Sequence, residues 1–206
     1  MDLVNNLIKD GWLKTPRIIS AFEKIKRADF LPEEMRNLAE LDEALSIGYN
    51  QTISQPLVVA FMLELLRPNK GDKILDIGSG SGWTSALLSQ IVGKGGRVIS
   101  IDLVPDLVEF GKNNVAKYSF VEEGIAKFIC ADGSKGHEKE APFDKILASA
   151  TASARIPISW KEQLKIGGRI VAPVDSSICL LIKKSEIEFE EKEYPGFVFV
   201  PLIEKQ

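Results

Sequence analysis

Residues 74–83 read ILDIGSGSGW. An apolar run closes on three glycines, Gly78, Gly80 and Gly82, and the chain then enters WTSALLSQIV. A short apolar run bounded by turn residues is a buried strand, and the longer stretch after it has the spacing of a helix. The same alternation continues downstream. GRVISID, AKFICAD, FDKILAS and GGRIVAPV read as strands, with helices in PDLVEFGKNNVAKY, opened by Pro105, and in PISWKEQL. Strands alternating with helices predict an α/β fold, a mostly parallel sheet with helices on both faces and right-handed crossovers. The tail, ICLLIKK, EIEFEEKE and FVFVPLI, reads as three further strands, antiparallel, with the acidic one a solvated edge.

Upstream of the glycine loop, Thr15-Pro16 predicts a helix start with the hydroxyl as cap and proline at the first position. Residues 26–50 read as a loop-rich segment. Pro56 opens a helix expected to stop near Leu66, before Pro68 and Gly71. The chain is expected to be one domain over 1–206, with 1–56 a helical and loop extension on a core of 57–206. Its 206 residues, 45% hydrophobic and 27% charged, suffice for a full core. A net charge of −3 supplies no basic field for nucleic acid. Cys130 and Cys179 lie in apolar runs without metal-ligand neighbours, so both are expected in the core and no metal site is expected. The N-terminus lacks a signal-peptide pattern and no apolar run is long enough to span a bilayer, which makes the cytoplasm the default and a membrane partner unexpected.

The spacing of the glycines narrows the chemistry. A dinucleotide fingerprint needs a third glycine where Trp83 stands, and a P-loop needs a lysine that is absent. What remains, D-x-G-x-G-x-G, resembles the first motif of class I S-adenosylmethionine-dependent methyltransferases. Asp76 is then expected to face the cationic methionine end of that cofactor. Gly78, Ser79, Gly80 and Gly82 give it a bare backbone, and the helix N-terminus suits its carboxylate. Asp102 ends the next strand, where a carboxylate accepts from ribose hydroxyls, with Leu103 beside it; its plainer reading is a strand-end turn residue. Asp132 and Gly133, at the third strand end, are expected at the adenine.

The acceptor is read from a different stretch, GYNQTISQP at 48–56. The place where base-amino methyltransferases carry a D/N-P-P-Y tetrapeptide reads ILASATAS here, and the one histidine, His137, sits in a polar loop. A carboxylate acceptor needs no base, being ionised at neutrality with a pKa near 3.9. It needs orientation and in-line contact with the methyl group. Gln51, Thr52, Ile53 and Ser54 supply hydroxyls, an amide and backbone N–H groups for that purpose. A simpler role for Ser54 is to cap the helix that Pro56 opens.

SIGYNQTISQPLVVAFMLELL followed by GDKILDIGSGSGW resembles the protein-L-isoaspartate (D-aspartate) O-methyltransferase family, and IKRADFLP, DGSKGHEKEAPFDKI, LKIGGRIVAPV and FVFVPL extend the likeness over almost the whole chain. The resemblance implies a Rossmann-like class I fold and methyl transfer from S-adenosylmethionine to the carboxylate of L-isoaspartyl residues in damaged proteins, which initiates their repair. It implies Ser54 as the active-site residue and isoaspartyl proteins or peptides as partners; a monomer is expected. Several positions depart from the family pattern: Glu40 replaces a common aromatic, Ser46 a proline and Asn50 a glycine. LASAT replaces a V-T-A-A run, and the loop after Asp175 is shortened. Two other readings remain at this level, a paralogue with another acceptor and a cofactor-binding protein without transferase activity.

Overall fold

The computed structural model describes residues 3–152 and 154–202. Helices α1 (Leu3–Lys9) and α2 (Pro16–Lys24) lead through 3-10 turns to a two-stranded antiparallel hairpin, β1 (Leu45–Gly48) and β2 (Gln51–Ile53), and then to α3 (Pro56–Leu66). The main sheet follows: β3 (Lys73–Ile77), α4 (Trp83–Val92), β4 (Arg97–Asp102), α5 (Pro105–Ala116), β5 (Ala126–Cys130) and β6 (Phe143–Ala148). A short α6 (Ile158–Glu162) precedes β7 (Leu164–Val174), β8 (Ser177–Lys183) and β9 (Phe189–Pro195).

The seven strands lie in the order β5-β4-β3-β6-β7-β8-β9. Pairing is parallel from β5 through β7 and antiparallel from β7 to β9. The fold expected from the alternation is therefore the one observed. The chain builds outward from β3 to β5, then returns to β6 on the other side of β3. That reversal makes a switch point, and ligands in open α/β sheets bind beyond the carboxyl ends of the strands at such a point.

Period-two alternation divides the sheet between two cores. Ile74 and Val98 pack with the buried faces of α1 to α5, whereas Leu75, Ile77, Ile99 and Ile101 pack on the opposite face. The two faces are unevenly covered. Among the described residues the second carries only α6, whose Trp160 is fully buried, and short turns. Asp76 and Ser100 alternate onto the α4 side, where Ser100 Oγ donates to Ser85 Oγ at 2.9 Å and Ser85 Oγ donates to Asp76 Oδ2 at 2.6 Å.

Several expectations need correction. Thr15 does sit at the start of α2, but its hydroxyl does not cap the helix. It donates instead to Glu64 Oε2 at 2.6 Å, while Glu64 Oε1 accepts from the N–H groups of Lys14 and Thr15. A carboxylate from α3 offered two backbone donors outcompetes a local cap. The loop-rich segment 26–50 ends in a hairpin that the sequence reading missed: β1 turns through Tyr49 and Asn50, both at positive φ, into β2. FVFVPLI, as far as residue 202, forms no ladder strand; it runs extended, with Thr151 N donating to Val200 O at 2.8 Å and Leu202 N donating to Thr151 O at 2.9 Å. Cys130 is exposed and Cys179 half-buried, so neither is a core cysteine. Cys130 ends β5, an edge strand with one side open to water. β9 is the opposite edge, and its acidic residues are largely solvated as expected.

Candidate active site

The glycine loop is tied to the neighbouring strand end. Gly78 and Ser79 donate to Ile101 O at 2.8 and 3.1 Å, and Gly80 N donates to Asp102 Oδ2 at 2.9 Å. Gly82 begins α4 at φ +85°, and a Cβ there would lie 2.7 Å from Gly111 O and 2.9 Å from Val115 Cγ2. Gly82 thus serves the close approach of α4 to α5, a use of glycine distinct from opening space for a ligand.

The loop forms the floor of a small cavity of about 40 Å³, whose walls include Gly78, Ser79, Gly80 and Asp102 and, from the hairpin side, Gln51, Thr52, Ile53 and Ser54. A second cavity of about 40 Å³ adjoins it, sharing Gln51, Gly78 and Asp102 and adding Leu103, Gly133 and Leu202. A wider cleft of about 290 Å³ lies on the outer side, lined by Ala44, Val58 and Phe199 among others. Thr52, Ser54, Ser149 and Val200 belong to both the first cavity and this cleft. The two stretches singled out in the sequence, 48–56 and 74–83, therefore meet at one site.

Three residues expected at the cofactor do not line these cavities. Gly82 is the packing glycine just described. Asp76 is wholly buried beneath the loop, its Oδ2 accepting from Thr84 Oγ1 at 3.1 Å and Ser85 Oγ at 2.6 Å. Burial pushes its carboxyl up to about 6, against the two hydroxyl hydrogen bonds and with a smaller push from Asp102. Asp132 Oδ1 accepts from the N–H and hydroxyl of Ser134 and so caps its own turn. That turn is clamped from the second face: Trp160 Nε1 donates to Gly133 O at 2.8 Å, Ser159 Oγ to Ser134 O at 2.8 Å and Gln163 Nε2 to Lys135 O at 2.9 Å.

Sequence reasoning missed other wall residues. Trp83 and Thr84 open α4 directly after the glycines, and Ser149 and Ala150 follow β6. The strand-end rule would have found Ser149, since β6 neighbours β3 at the switch point. Ser149, Ala150 and Thr151 belong to the LASAT stretch singled out in the sequence. The shortened loop after Asp175 is a tight turn between β7 and β8, and Ser176 O accepts from Gly196 and Phe197. The helix-cap role for Ser54 is overturned: Gln55 is the N-cap residue of α3, and Asp42 Oδ1 accepts from Leu57 N at 2.8 Å. His137 lies outside the three cavities, and burial lowers its pKa. Among the described residues no cluster of His, Cys, Asp or Glu fits a metal ion, and no helix is long and apolar enough to cross a membrane.

The residues present fit the cofactor expected from the sequence. Ser79 Oγ and Trp83 Nε1 are buried without a hydrogen-bond partner, and both residues line the first cavity. Buried polar groups are ordinarily paired, so the two mark a place for a polar ligand. The first N–H groups of α4 have no partner within the helix and favour a carboxylate. Asp102 Oδ1 and Oδ2 each accept one backbone N–H, from Val104 and Gly80, and each oxygen keeps capacity for a hydroxyl.

Comparison with known proteins agrees with this geometry. A profile of the family "Protein-L-isoaspartate(D-aspartate) O-methyltransferase" matches residues 1–206. The protein-L-isoaspartate O-methyltransferase of Methanopyrus kandleri is 40% identical over 205 residues, covering 98% of this chain and 89% of the relative. Protein-L-isoaspartate O-methyltransferase 2 of Archaeoglobus fulgidus is 43% identical over 189 residues, 90% of this chain and 84% of its own. A Plasmodium falciparum structure in complex with S-adenosyl-L-homocysteine shares the fold, with a TM-score of 0.84 over 98% of this chain and 97% of that one, at 22% identity. A solved protein-L-isoaspartate O-methyltransferase superimposes with a TM-score of 0.86 at 28% identity, over 97% of this chain and 64% of that one. With the profile spanning residues 1–206 and a relative 40% identical matched over 89% of its length, the chain belongs to the protein-L-isoaspartate(D-aspartate) O-methyltransferase family.

Proposed function

We propose that this protein transfers a methyl group from S-adenosylmethionine to the free carboxylate of L-isoaspartyl residues in damaged proteins, the step that initiates their repair. The observation that carries the reading is the wall shared by the inner cavity and the outer cleft, made by Thr52, Ser54, Ser149 and Val200. In this reading an acceptor seated in the cleft meets the cofactor side at that wall.

When bound, the cofactor supplies an electrophilic methyl group on its sulfonium. The chain's own residues do the rest. Gly78, Ser79, Gly80 and the start of α4 hold the methionine end, with Asp76 bracing Thr84 and Ser85 from below. Asp102 and Leu103 take the ribose side, and Gly133, with Asp132 shaping its turn, takes the adenine side. Ser54 donates to the acceptor carboxylate or the adjoining peptide, and Gln51, Thr52 and Ile53 line the approach. No general base is required, because the carboxylate is already ionised at neutral pH. The hairpin orients the nucleophilic oxygen toward the cofactor side.

In the same reading the chain is a single methyltransferase domain over 1–206, residues 1–56 being a substrate-side extension on the 57–206 core. It acts as a cytoplasmic monomer on isoaspartyl proteins and peptides. The test is incubation with labelled S-adenosylmethionine and a matched pair of peptides, one isoaspartyl and one aspartyl, scoring base-labile methyl ester. Ester on the isoaspartyl peptide alone is expected. Cofactor binding with no ester on either peptide would overturn the acceptor and direct attention to Ser149, Ala150 and Asn50.

A further inference from the structure

Arg27 is a charged residue in the wrong solvent. Its side chain is buried, 5% exposed, at the start of a 3-10 turn (Arg27–Phe30) anchored by the fully buried Phe30. Burying a guanidinium is costly unless its donors are satisfied. Four bonds to backbone carbonyls do this for the two terminal nitrogens, while Nε is buried without a partner. Nη1 donates to Ala39 O at 3.2 Å and Leu41 O at 2.9 Å; Nη2 donates to Glu43 O at 2.6 Å and Ser54 O at 3.2 Å. Asp42 and Glu40 lie near enough to favour the charge. The guanidinium carbon also stands 5.4 Å from the centre of the Trp83 ring.

The placement of these partners is informative. Glu43 and Ser54 flank the β1–β2 hairpin, Leu45–Gly48 and Gln51–Ile53, so one nitrogen closes the base of the hairpin. Trp83 lines the inner cavity, and Ser54 lines both that cavity and the outer cleft. One planar group therefore fixes the hairpin that carries the acceptor-side residues to the tryptophan that walls the cofactor side.

Resting on the function proposed above, we infer that Arg27 is a positioning residue for methyl transfer: it clasps the two ends of the 45–53 hairpin and sets Ser54 at a fixed place against the inner cavity. It touches neither substrate nor cofactor. A lysine cannot replace it, because an ammonium on a flexible stem has three donors and no planar fork.

The test uses the full chain and four proteins: wild type, Arg27→Lys, Ser54→Ala and the double variant. Arg27→Lys keeps the charge; its thermal midpoint and its affinity for S-adenosylhomocysteine report whether the fold and cofactor side survive. Arg27→Lys is expected to lower kcat toward an isoaspartyl peptide by on the order of ten- to a hundredfold, the scale of a small misplacement. Cofactor affinity should change little. The double variant should be no slower than Ser54→Ala alone, since the two residues act through one position. Amide exchange should speed up across 43–55 in Arg27→Lys and stay unchanged in β7 and β8. Multiplying effects in the double variant, or wild-type kcat with unchanged exchange, would overturn the inference. If the wild type fails to methylate the isoaspartyl peptide, the proposed function fails, and exchange across 43–55 still decides: faster exchange confined there supports the clasp, and unchanged exchange refutes it.

Discussion

Gly80 donates its backbone N–H to Asp102 Oδ2 at 2.9 Å, so the carboxylate that faces the proposed ribose site also holds the glycine loop in place. Asp102 Oδ1 fixes the chain's next turn through Val104 N at 3.1 Å. One side chain is thus shared between building the cavity and serving it. Replacing it removes both contributions together.

Asp102→Ala is expected to weaken S-adenosylhomocysteine binding by roughly 1.5–3 kcal/mol, the scale of hydrogen bonds to a charged acceptor. Calorimetric titration measures this directly. Asp102→Asn should fall between, because its single oxygen can still accept from Gly80. An unchanged dissociation constant for the alanine variant would refute the ribose role and leave Asp102 as a loop brace.

Gly82 and Gly80 are expected to respond differently to alanine. At Gly82 the left-handed backbone and the contact with Gly111 O act together, and the added methyl should destabilise the fold by roughly 2–4 kcal/mol. At Gly80, φ is +49° and the nearest atom is Ile47 Cδ1 at 3.4 Å, so only about 1–2 kcal/mol of backbone strain is expected. Urea midpoints of the two variants compare them. Equal losses would show that helix approach is not the reason for glycine at 82.

The contrast between these glycines also shows where sequence reading works. The alternation from Lys73 onward is legible because apolar period reports burial, and burial is what a parallel sheet demands of its strands. The meeting of 48–56 with 74–83 was legible from motif chemistry. Other features depend on partners distant in the chain. Thr15 and Ser54 each stand where a cap is expected, yet Glu64 engages the Thr15 hydroxyl as a donor and Asp42 takes the Leu57 N–H in the first turn of α3. The β1–β2 hairpin was hidden because each strand is short and its turn uses Tyr49 and Asn50, of which only Asn50 signals positive φ. Nothing local marks Arg27 as buried, since its four acceptors are backbone carbonyls, which every residue type supplies.

Asp76 should make stability depend on pH in a definite direction. Its folded carboxyl is raised to about 6 from an ordinary value of 3.8, so the folded state holds the proton more tightly than the unfolded chain. Its contribution to stability is then fully present below about pH 4 and lost as pH rises through about 6, with a total of roughly 2–3 kcal/mol. Asp76→Asn cannot ionise. The stability of this variant relative to wild type should therefore climb between pH 4 and 7, which isolates Asp76 from the other carboxylates. Urea titrations across that window that ran parallel would show that the buried carboxyl does not titrate there.

Ser54 carries the sharpest prediction about transfer. It borders both the inner cavity and the outer cleft, its carbonyl is held by Arg27, and the α3 cap is supplied by Asp42. Losing its hydroxyl should therefore leave the helix start undisturbed. Ser54→Ala is expected to keep the thermal midpoint and the cofactor affinity of wild type. Transfer to an isoaspartyl peptide should slow by about ten- to a hundredfold, the loss from one hydrogen bond of roughly 1.5–3 kcal/mol to a charged group at the transition state. A fall in kcat with KM unchanged would place that bond in the transition state, and a rise in KM alone would place it equally in the bound acceptor. Normal kcat/KM would mean that the acceptor is held by Thr52, Gln51 and backbone N–H groups, and the hydroxyl would have no part in catalysis.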